Sequence, residues 1–521
     1  MEQFISSPSG DNNEWQRQDL RGLPQSPDAA VVRAAPWSPG ATIARCNGVI
    51  HQGTYLIASN FVVGQSGEGA APPAVVPFAI EDTYLSRLSE AVLGSNENAL
   101  TIPCIPGHEN YLRELGMLST SNKLIELPYN PPSRKDVGYP HAEIFSLASK
   151  RGLADYSGSC VVSWFPSPAV RASAEHLGCF TPQDSNAYFT NNKVYLRQEA
   201  ERFGIRMCDG LVVAGEGDAA KAAKQFAGAS RVWIKNDIGS GGDGVIALEA
   251  PITEERLREC IARQYRLAEE AFTINKFTDY SLEQYWGSKN PESPPVGTPR
   301  IVVEADVSAH GTAIANCSNL MLIRKDGSYS VERYFRQRVS SEGAYQGSQP
   351  YLELDSKTRA ELDFAMKPLA DFCAAHRLFG IVGVDFMLVR TPEGALEARI
   401  IELNGRPPVS ASAVMAAEKL GAPAWINCNI WGPHELNSIE DFERMMTLGG
   451  TNHARASLKE GLIFPLAFRA LYSMNERGER ALFHPSCSAR VLICGESMEG
   501  CEELLQRLQR EKGVTLQPPK Q

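Results

Sequence analysis

No two of the chain's twelve cysteines stand in a Cys-x-x-Cys pair, which removes the common zinc and dithiol frameworks from consideration. Cys487, Cys494 and Cys501 recur every seven residues, but they span an expected strand and an expected helix, so the interval defines no site. Scattered thiols fit a reducing compartment. The 521 residues carry a net charge of -10 and contain no Lys/Arg run, so nucleic acid and anionic membrane surfaces are not expected as partners. The opening residues, MEQFISSPSGDNNEWQRQ, lack a charged-then-apolar leader, and no apolar run approaches the roughly 20 residues that cross a bilayer. These absences together predict a cytoplasmic, soluble protein, long enough for two to four domains.

Against this background, residues 231–249 (RVWIKNDIGSGGDGVIALE) stand out. An apolar strand ends in Lys235, a loop rich in glycine follows, and a second apolar strand begins. Gly239, Gly241 and Gly244 match G-x-G-x-x-G, but the dinucleotide fingerprint needs a helix after the loop, and 245–248 reads as strand. A flexible hairpin of Gly239, Ser240, Gly241, Gly242 and Gly244 suits phosphate oxygens instead: absent side chains let backbone N–H groups approach, and Lys235 adds a point charge. On this segment alone, an ordinary hairpin turn fits equally well.

Further along, 383–388 (GVDFML) reads as a buried strand carrying one acid, Asp385, and 398–408 (ARIIELNGRPP) as another carrying Glu402, Asn404 and Arg406 at alternate positions. Alternation places those three on one face. An Asp facing Glu-x-Asn offers hard oxygen ligands suited to Mg²⁺ held jointly with substrate phosphates. The competing reading is a strand leaving the core for solvent. Arg336 and Arg338 alternate in YFRQRV and so share a face, either an exposed one or one that receives a carboxylate, whose plane the guanidinium fork matches.

The order of Lys235 with its glycine loop, VVEADV at 302–307, Asp385 and then Glu402-Leu-Asn404 resembles the ATP-grasp superfamily over roughly 191–420. The resemblance implies two lysines on the ATP phosphates, for which Lys193 at a helix opening and Lys235 are the matching positions. It implies adenine at a hinge where Glu304 and the backbone to Val307 meet the base, with His310 standing in the region that holds ribose. It implies Mg²⁺ on Asp385, Glu402 and Asn404. Gly383 departs from the D-alanine ligase branch, which has an arginine there, so stabilisation of the acyl group falls to Arg406 first, with Arg336 and Arg338 as alternatives. His310 and His376 are candidates for a base by residue type only, and no base is assigned.

Along the chain, 1–45 reads as a flexible tail rich in Ser, Pro, Gly and Asn. From 46 to 185, the runs TYLIASNFVV, ALTIPCI and SCVVSW alternate with helical patterns such as TYLSRLSEAVLG and AVRASAEHLG, which predicts an open, layered α/β domain. The ATP-grasp core of two α+β lobes is expected at 186–435, with a surface loop at 285–299. A small α/β module is expected at 436–521, ending in a helix capped by Gly513. This order resembles the peptide ligases of the pheganomycin type. The implied activity is ATP-dependent joining of a small-molecule carboxylate to an amine (an amino acid or peptide) through an acyl phosphate, releasing ADP and phosphate. A carboxylase, an acid–thiol ligase and a non-catalytic ATP sensor are the alternatives, and a homodimer is compatible with the resemblance.

Overall fold

The computed structural model describes residues 55–58, 98–101, 105–118, 124–126, 160–163, 178–179, 193–236, 245–275, 301–340, 345–351, 354–405, 407–475 and 477–517. The expected tail at 1–45, the glycine loop from Gly239 to Gly244, the loop at 285–299, the helix patterns at 83–94 and 169–177 and Arg406 lie outside the described residues.

Four short strands, β1 (Tyr55–Ala58), β2 (Asn98–Thr101), β3 (Leu124–Glu126) and β4 (Cys160–Ser163), form a sheet in the order β3–β2–β1–β4. Every pairing in it is parallel. Parallel neighbours need crossovers rather than hairpins, in keeping with the layered α/β domain expected here. Helix α1 (His108–Glu114) lies between β2 and β3 in sequence.

Helix α2 (Lys193–Phe203) stops at Gly204, whose φ of 72° is open to glycine at little cost, and the Ile205 N–H turns back to Ala200 O at 2.8 Å. A four-stranded antiparallel sheet follows. Its strands β5 (Gly210–Val213), β6 (Arg231–Asn236), β7 (Val245–Glu249) and β8 (Ile301–Ala305) run in the order β5–β8–β6–β7. One face packs Val232, Ile234, Ile301 and Val303 against helices α3 (Ala219–Gln225) and α4 (Glu254–Asn275). Period-2 alternation puts Trp233, Lys235, Val302 and Glu304 on the other face.

The larger sheet has eight strands, all antiparallel. It comprises β9 (Thr312–Ile323), β10 (Tyr329–Val339), β11 (Tyr345–Pro350), β12 (Gly380–Arg390), β13 (Leu396–Asn404), β14 (Ala424–Trp431), β17 (Leu462–Phe468) and β20 (Ser488–Gly495), in the order β13–β12–β9–β10–β11–β14–β20–β17. The small pairs β15 (Thr447–Leu448) with β16 (Thr451–Asn452), and β18 (Leu471–Met474) with β19 (Arg480–His484), lie apart from it. Helix α5 (Ser356–Ala365) precedes α6 (Lys367–Ala375), whose Leu369 and Phe372 share a core with Cys317, Met321, Val384 and Phe386. The alternate residues Leu320, Leu322, Phe335 and Ile381 belong to a second core with Val414 and Ala417 of α7 (Val409–Leu420).

The expected C-terminal strand, strand and helix are present as β17, β20 and α9 (Met498–Lys512), and Gly513 ends the helix at φ 65°. They do not build a sheet of their own. Strand β20 pairs with β14 from Ala424↔Gly495 to Trp431↔Ser488, so the expected division at 435/436 falls inside one sheet and one core. The apolar runs of β17 and β20 are long enough to be buried on both faces, with α9 supplying Cys501, Leu504 and Leu508 to that core. Helix α8 (Ile439–Met445) adds Ile439 and Phe442.

His108, on α1, is 1% exposed and meets the ring of Phe468 edge-on, with centroids 5.2 Å apart. Burial lowers its pKa from 6.5 to about 3. The unfolded chain therefore takes a proton below 6.5 that the folded chain refuses. This contribution to stability is present above pH 6.5 and is lost as pH falls toward 3, amounting to about 2 kcal/mol at pH 5. Melting temperatures of wild type and His108→Phe, followed from pH 7 to pH 5, should diverge in the variant's favour as pH falls. Parallel curves would count against the buried neutral imidazole.

Candidate active site

Helix α2 touches both sheets through residues one turn apart. At its first position, Lys193 Nζ lies 3.0 Å from Glu402 Oε1 on β13 of the large sheet. Four residues on, the Arg197 guanidinium pairs with Glu304 on β8 of the small sheet. The i, i+4 spacing aligns both cations on one side of the helix, about 6 Å apart along its axis. Lys193 is 8% exposed. A lysine that buried is normally paired.

Glu304 sits between two cations. Its other oxygen receives Lys235 Nζ from β6, a neighbour made possible by the register Trp233↔Glu304, which sets Lys235 diagonally opposite on the same face. Arg197 also donates Nη1–H to Cys208 O at 2.6 Å. The chain bends close at this point: a Cβ on Gly210 would stand 2.8 Å from Arg197 Cζ, so a side chain there would displace the guanidinium. The Cys208 thiol is pushed up to about 12, chiefly by burial and further by Glu304, and stays neutral. One carboxylate cannot balance two cations, so Arg197, Lys235 and Glu304 leave an excess of one positive charge in a buried setting.

The large sheet gathers acids instead. Strand β12 pairs with β13 in the register Asp385↔Glu402 and Gly383↔Asn404, which brings the two acids and the amide to one face, as expected. Asp385 accepts Gln337 Nε2–H at 2.7 Å and Asn404 Nδ2–H at 3.2 Å. Glu402 takes Lys193 from α2. Two carboxylates on facing strands, with an amide whose nitrogen is engaged and whose oxygen is the end left to ligate, fit a hard divalent cation completed by ligands from outside the protein. Among the described residues no cluster of three or more His, Cys, Asp or Glu forms an all-protein cage.

Gly383 is closed by its neighbour. A Cβ there would come within 2.7 Å of Pro408 Cβ and 2.8 Å of Pro408 Cγ, a physical reason for the absence of an arginine at this position. The other candidates separate. Arg336 and Arg338 share a face of β10, but it is the face away from Gln337 and therefore away from Asp385. Arg338 binds Gln349 Oε1 at 2.7 Å and pairs with Glu502 of α9, and burial lowers its pKa. Arg336 lies 5.9 Å from the ring of Tyr351. His310 Nε2 accepts the Asp209 N–H at 3.2 Å. Val307 opens a short 3₁₀ turn capped by Asp306, which accepts the Ser308 N–H. His376 packs edge-on or tilted against Tyr195, Phe203 and Phe372, with the Tyr195 hydroxyl 3.3 Å from its ring nitrogens.

Two residues at the site were not singled out from the sequence. Arg197 could have been found, because it lies one helical turn after Lys193. Gln337 could have been found only with the strand order known, since it reaches Asp385 across the intervening β9.

No family model matches the chain, and no curated protein matches it. Solved structures do. Pyruvate carboxylase from Rhizobium etli is similar at 14% identity and TM-score 0.50, over 88% of this chain and 37% of that one. Biotin carboxylase from Campylobacter jejuni is similar at 13% identity and TM-score 0.49, over 89% of this chain and 92% of that one. N5-carboxyaminoimidazole ribonucleotide synthetase from Thermus thermophilus is similar at 13% identity and TM-score 0.45, over 90% of this chain and 100% of that one. The likeness to the first is one of fold.

Removing the central acid tests the geometry. Glu304→Gln leaves Arg197 and Lys235 buried without a counter-charge, and should lower folding stability by about 3 kcal/mol or more. Chemical denaturation at low salt checks this. A stability within about 0.5 kcal/mol of wild type would mean that the two cations are solvated instead.

Proposed function

We propose that the chain is an ATP-grasp enzyme that joins a carboxylate to an amine through an acyl phosphate. The observation that carries this reading is that one helix meets both the excess positive charge of Arg197 and Lys235 around Glu304 and, through Lys193, the sheet face on which Asp385, Glu402 and Asn404 come together. A nucleotide polyphosphate bound with a divalent cation complements both. Coulombic complementarity in a partly buried site is worth far more than the same charges in water.

In this reading Lys193 and Lys235 take the phosphates, exchanging the carboxylates they hold for phosphate oxygens. The glycine loop of Gly239, Ser240, Gly241, Gly242 and Gly244 covers them, and Glu304 to Val307 flank the base, with His310 near the ribose. Asp385, Glu402 and Asn404 would hold Mg²⁺, which when bound supplies positive charge between the phosphates. A carboxylate is a poor acyl donor at neutral pH; phosphorylation gives it a good leaving group, and an amine then attacks. Positioning and charge neutralisation carry most of the rate. Arg406 remains our first choice for steadying the acyl phosphate, because Arg336 and Arg338 face away from Asp385. The finer reading is a peptide ligase of the pheganomycin type serving specialised peptide synthesis; the parallel sheet ahead of the two antiparallel sheets fits it and a carboxylase alike.

Turnover should release ADP and phosphate, and hydroxylamine should trap the acyl substrate as its hydroxamate. AMP as the stoichiometric product would rule out transfer of the γ-phosphoryl group, and ADP formation dependent on bicarbonate alone would move the assignment to a carboxylase. Glu402→Gln keeps the side chain's shape and removes one charge; turnover should fall by at least ~10²-fold while the fold survives. Near wild-type turnover would place the metal elsewhere.

A further inference from the structure

Asp385 is gripped from two sides. Its Oδ1 accepts Gln337 Nε2–H at 2.7 Å, and its Oδ2 accepts Asn404 Nδ2–H at 3.2 Å. Asn404 comes from the adjacent strand, β13. Gln337 comes from β10, with the whole of β9 between. Two strand separations amount to about 10 Å at the backbone, a gap that takes a long side chain on one bank and a small one beneath the bridge.

Register and residue choice provide both. Ser318 on β9 is the direct partner of Asp385 on one side and of Phe335 on the other, so all three share a face, and Ser318 is buried there. Phe335 and Gln337 alternate along β10 and lie on that face too. Phe335 is fully buried in the core that contains Val414 of α7, which holds β10 in the alignment that sends Gln337 toward Asp385. The same alternation turns Arg336 and Arg338 to the opposite face, where Arg338 meets Gln349 and Glu502. Of three consecutive residues, two guanidiniums and one amide, the site receives the amide.

That choice has a chemical consequence. An ionised carboxylate only accepts hydrogen bonds, so Gln337 presents its nitrogen, and a neutral donor restrains the acid without offsetting its charge as a guanidinium or ammonium would. Donors on opposite oxygens fix the plane of the group. Each oxygen carries two lone pairs, so an oxygen held by an amide still ligates a cation. Carboxylates that ligate metals are themselves hydrogen-bonded, and removing such a partner typically costs ~10–100-fold in metal affinity.

Resting on the ligase reading and the Mg²⁺ site it contains, we propose that Gln337 is a positioning residue for that site. It sets the plane of the Asp385 carboxylate toward the divalent cation shared with Glu402 and Asn404, and touches neither metal nor substrate itself. Length is the requirement that follows. Asparagine carries the same amide on a side chain shorter by one C–C bond, about 1.5 Å. From the 2.7 Å contact with Asp385, that withdraws the donor to about 4 Å, outside hydrogen-bonding range.

The test uses the full chain, Mn²⁺ as the metal probe and ADP as the nucleotide. Calorimetry measures MnADP, and thermal shift over a range of ADP in EDTA measures the nucleotide alone, for wild type, Gln337→Met and Gln337→Asn. MnADP should bind at least ~10-fold more weakly to both variants, while binding of ADP alone is unchanged. The electron paramagnetic resonance spectrum of the bound Mn²⁺ should differ from wild type in both, because a ligand has turned. Gln337→Asn keeps a polar amide at a half-buried position and decides the matter if Gln337→Met does not fold. In Gln337→Asn, unchanged MnADP affinity, an unchanged Mn²⁺ spectrum, or an equal loss of MnADP and of ADP alone would each overturn the proposal, the last by making the residue a general structural support. Wild type that binds neither MnADP nor ADP would strike the nucleotide reading as well, whereas wild type that binds both, with any of the adverse variant results, strikes Gln337 alone.

Discussion

One buried carboxylate organises the small sheet and everything that meets it. Glu304 holds Arg197 from α2 and Lys235 from β6, so three elements distant in sequence have to arrive in one relative position before either cation is satisfied. Burying charges is costly unless they are paired and well oriented. Here the pairing is incomplete by one charge, an unfavourable arrangement that a nearby anion would relieve. Gly210 allows the guanidinium to lie against the chain, and the Cys208 carbonyl fixes its angle.

The large sheet brings its two acids together through register. Because side chains alternate with a period of two, Asp385, Glu402 and Asn404 share a face only if β12 and β13 pair as they do; a slip by one residue would turn the acids into the core behind Phe386. Apolar residues on that core face hold the register. The bulge after Asp385 shifts the pairing so that Phe386 faces Ile400 and both stay buried. Charge and packing thus select the same alignment.

Local patterns made several of these elements readable in advance. The strand ending at Lys235, the strand beginning at Val245, the buried strand around Asp385 and the Gly513 helix end each follow from periodicity or from a single special residue. Lys193 was readable as a helix opening, but its contact with Glu402 was not, since pairing between distant segments leaves no mark in local periodicity. For the same reason the arginines of YFRQRV attracted notice by residue type, while Gln337 between them is the side chain that reaches Asp385. The continuation of β14 into β20 was hidden too: SARVLICGE reads as a strand, with nothing in its residues to say which strand it joins.

That continuation bears on how the chain is made. Strand β14 pairs with β11 at only Gly347↔Cys428 and Ser348↔Asn427, but with β20 along its whole length. As the polypeptide emerges in order, β14 is synthesised well before the segment that secures it. Until residues 488–495 exist, an apolar strand with open N–H and C=O groups waits at the edge of the sheet, the condition under which chains pair with the wrong partner. The end of this sheet formed by β14, β20 and β17 is therefore joined only once residues 488–495 have been added.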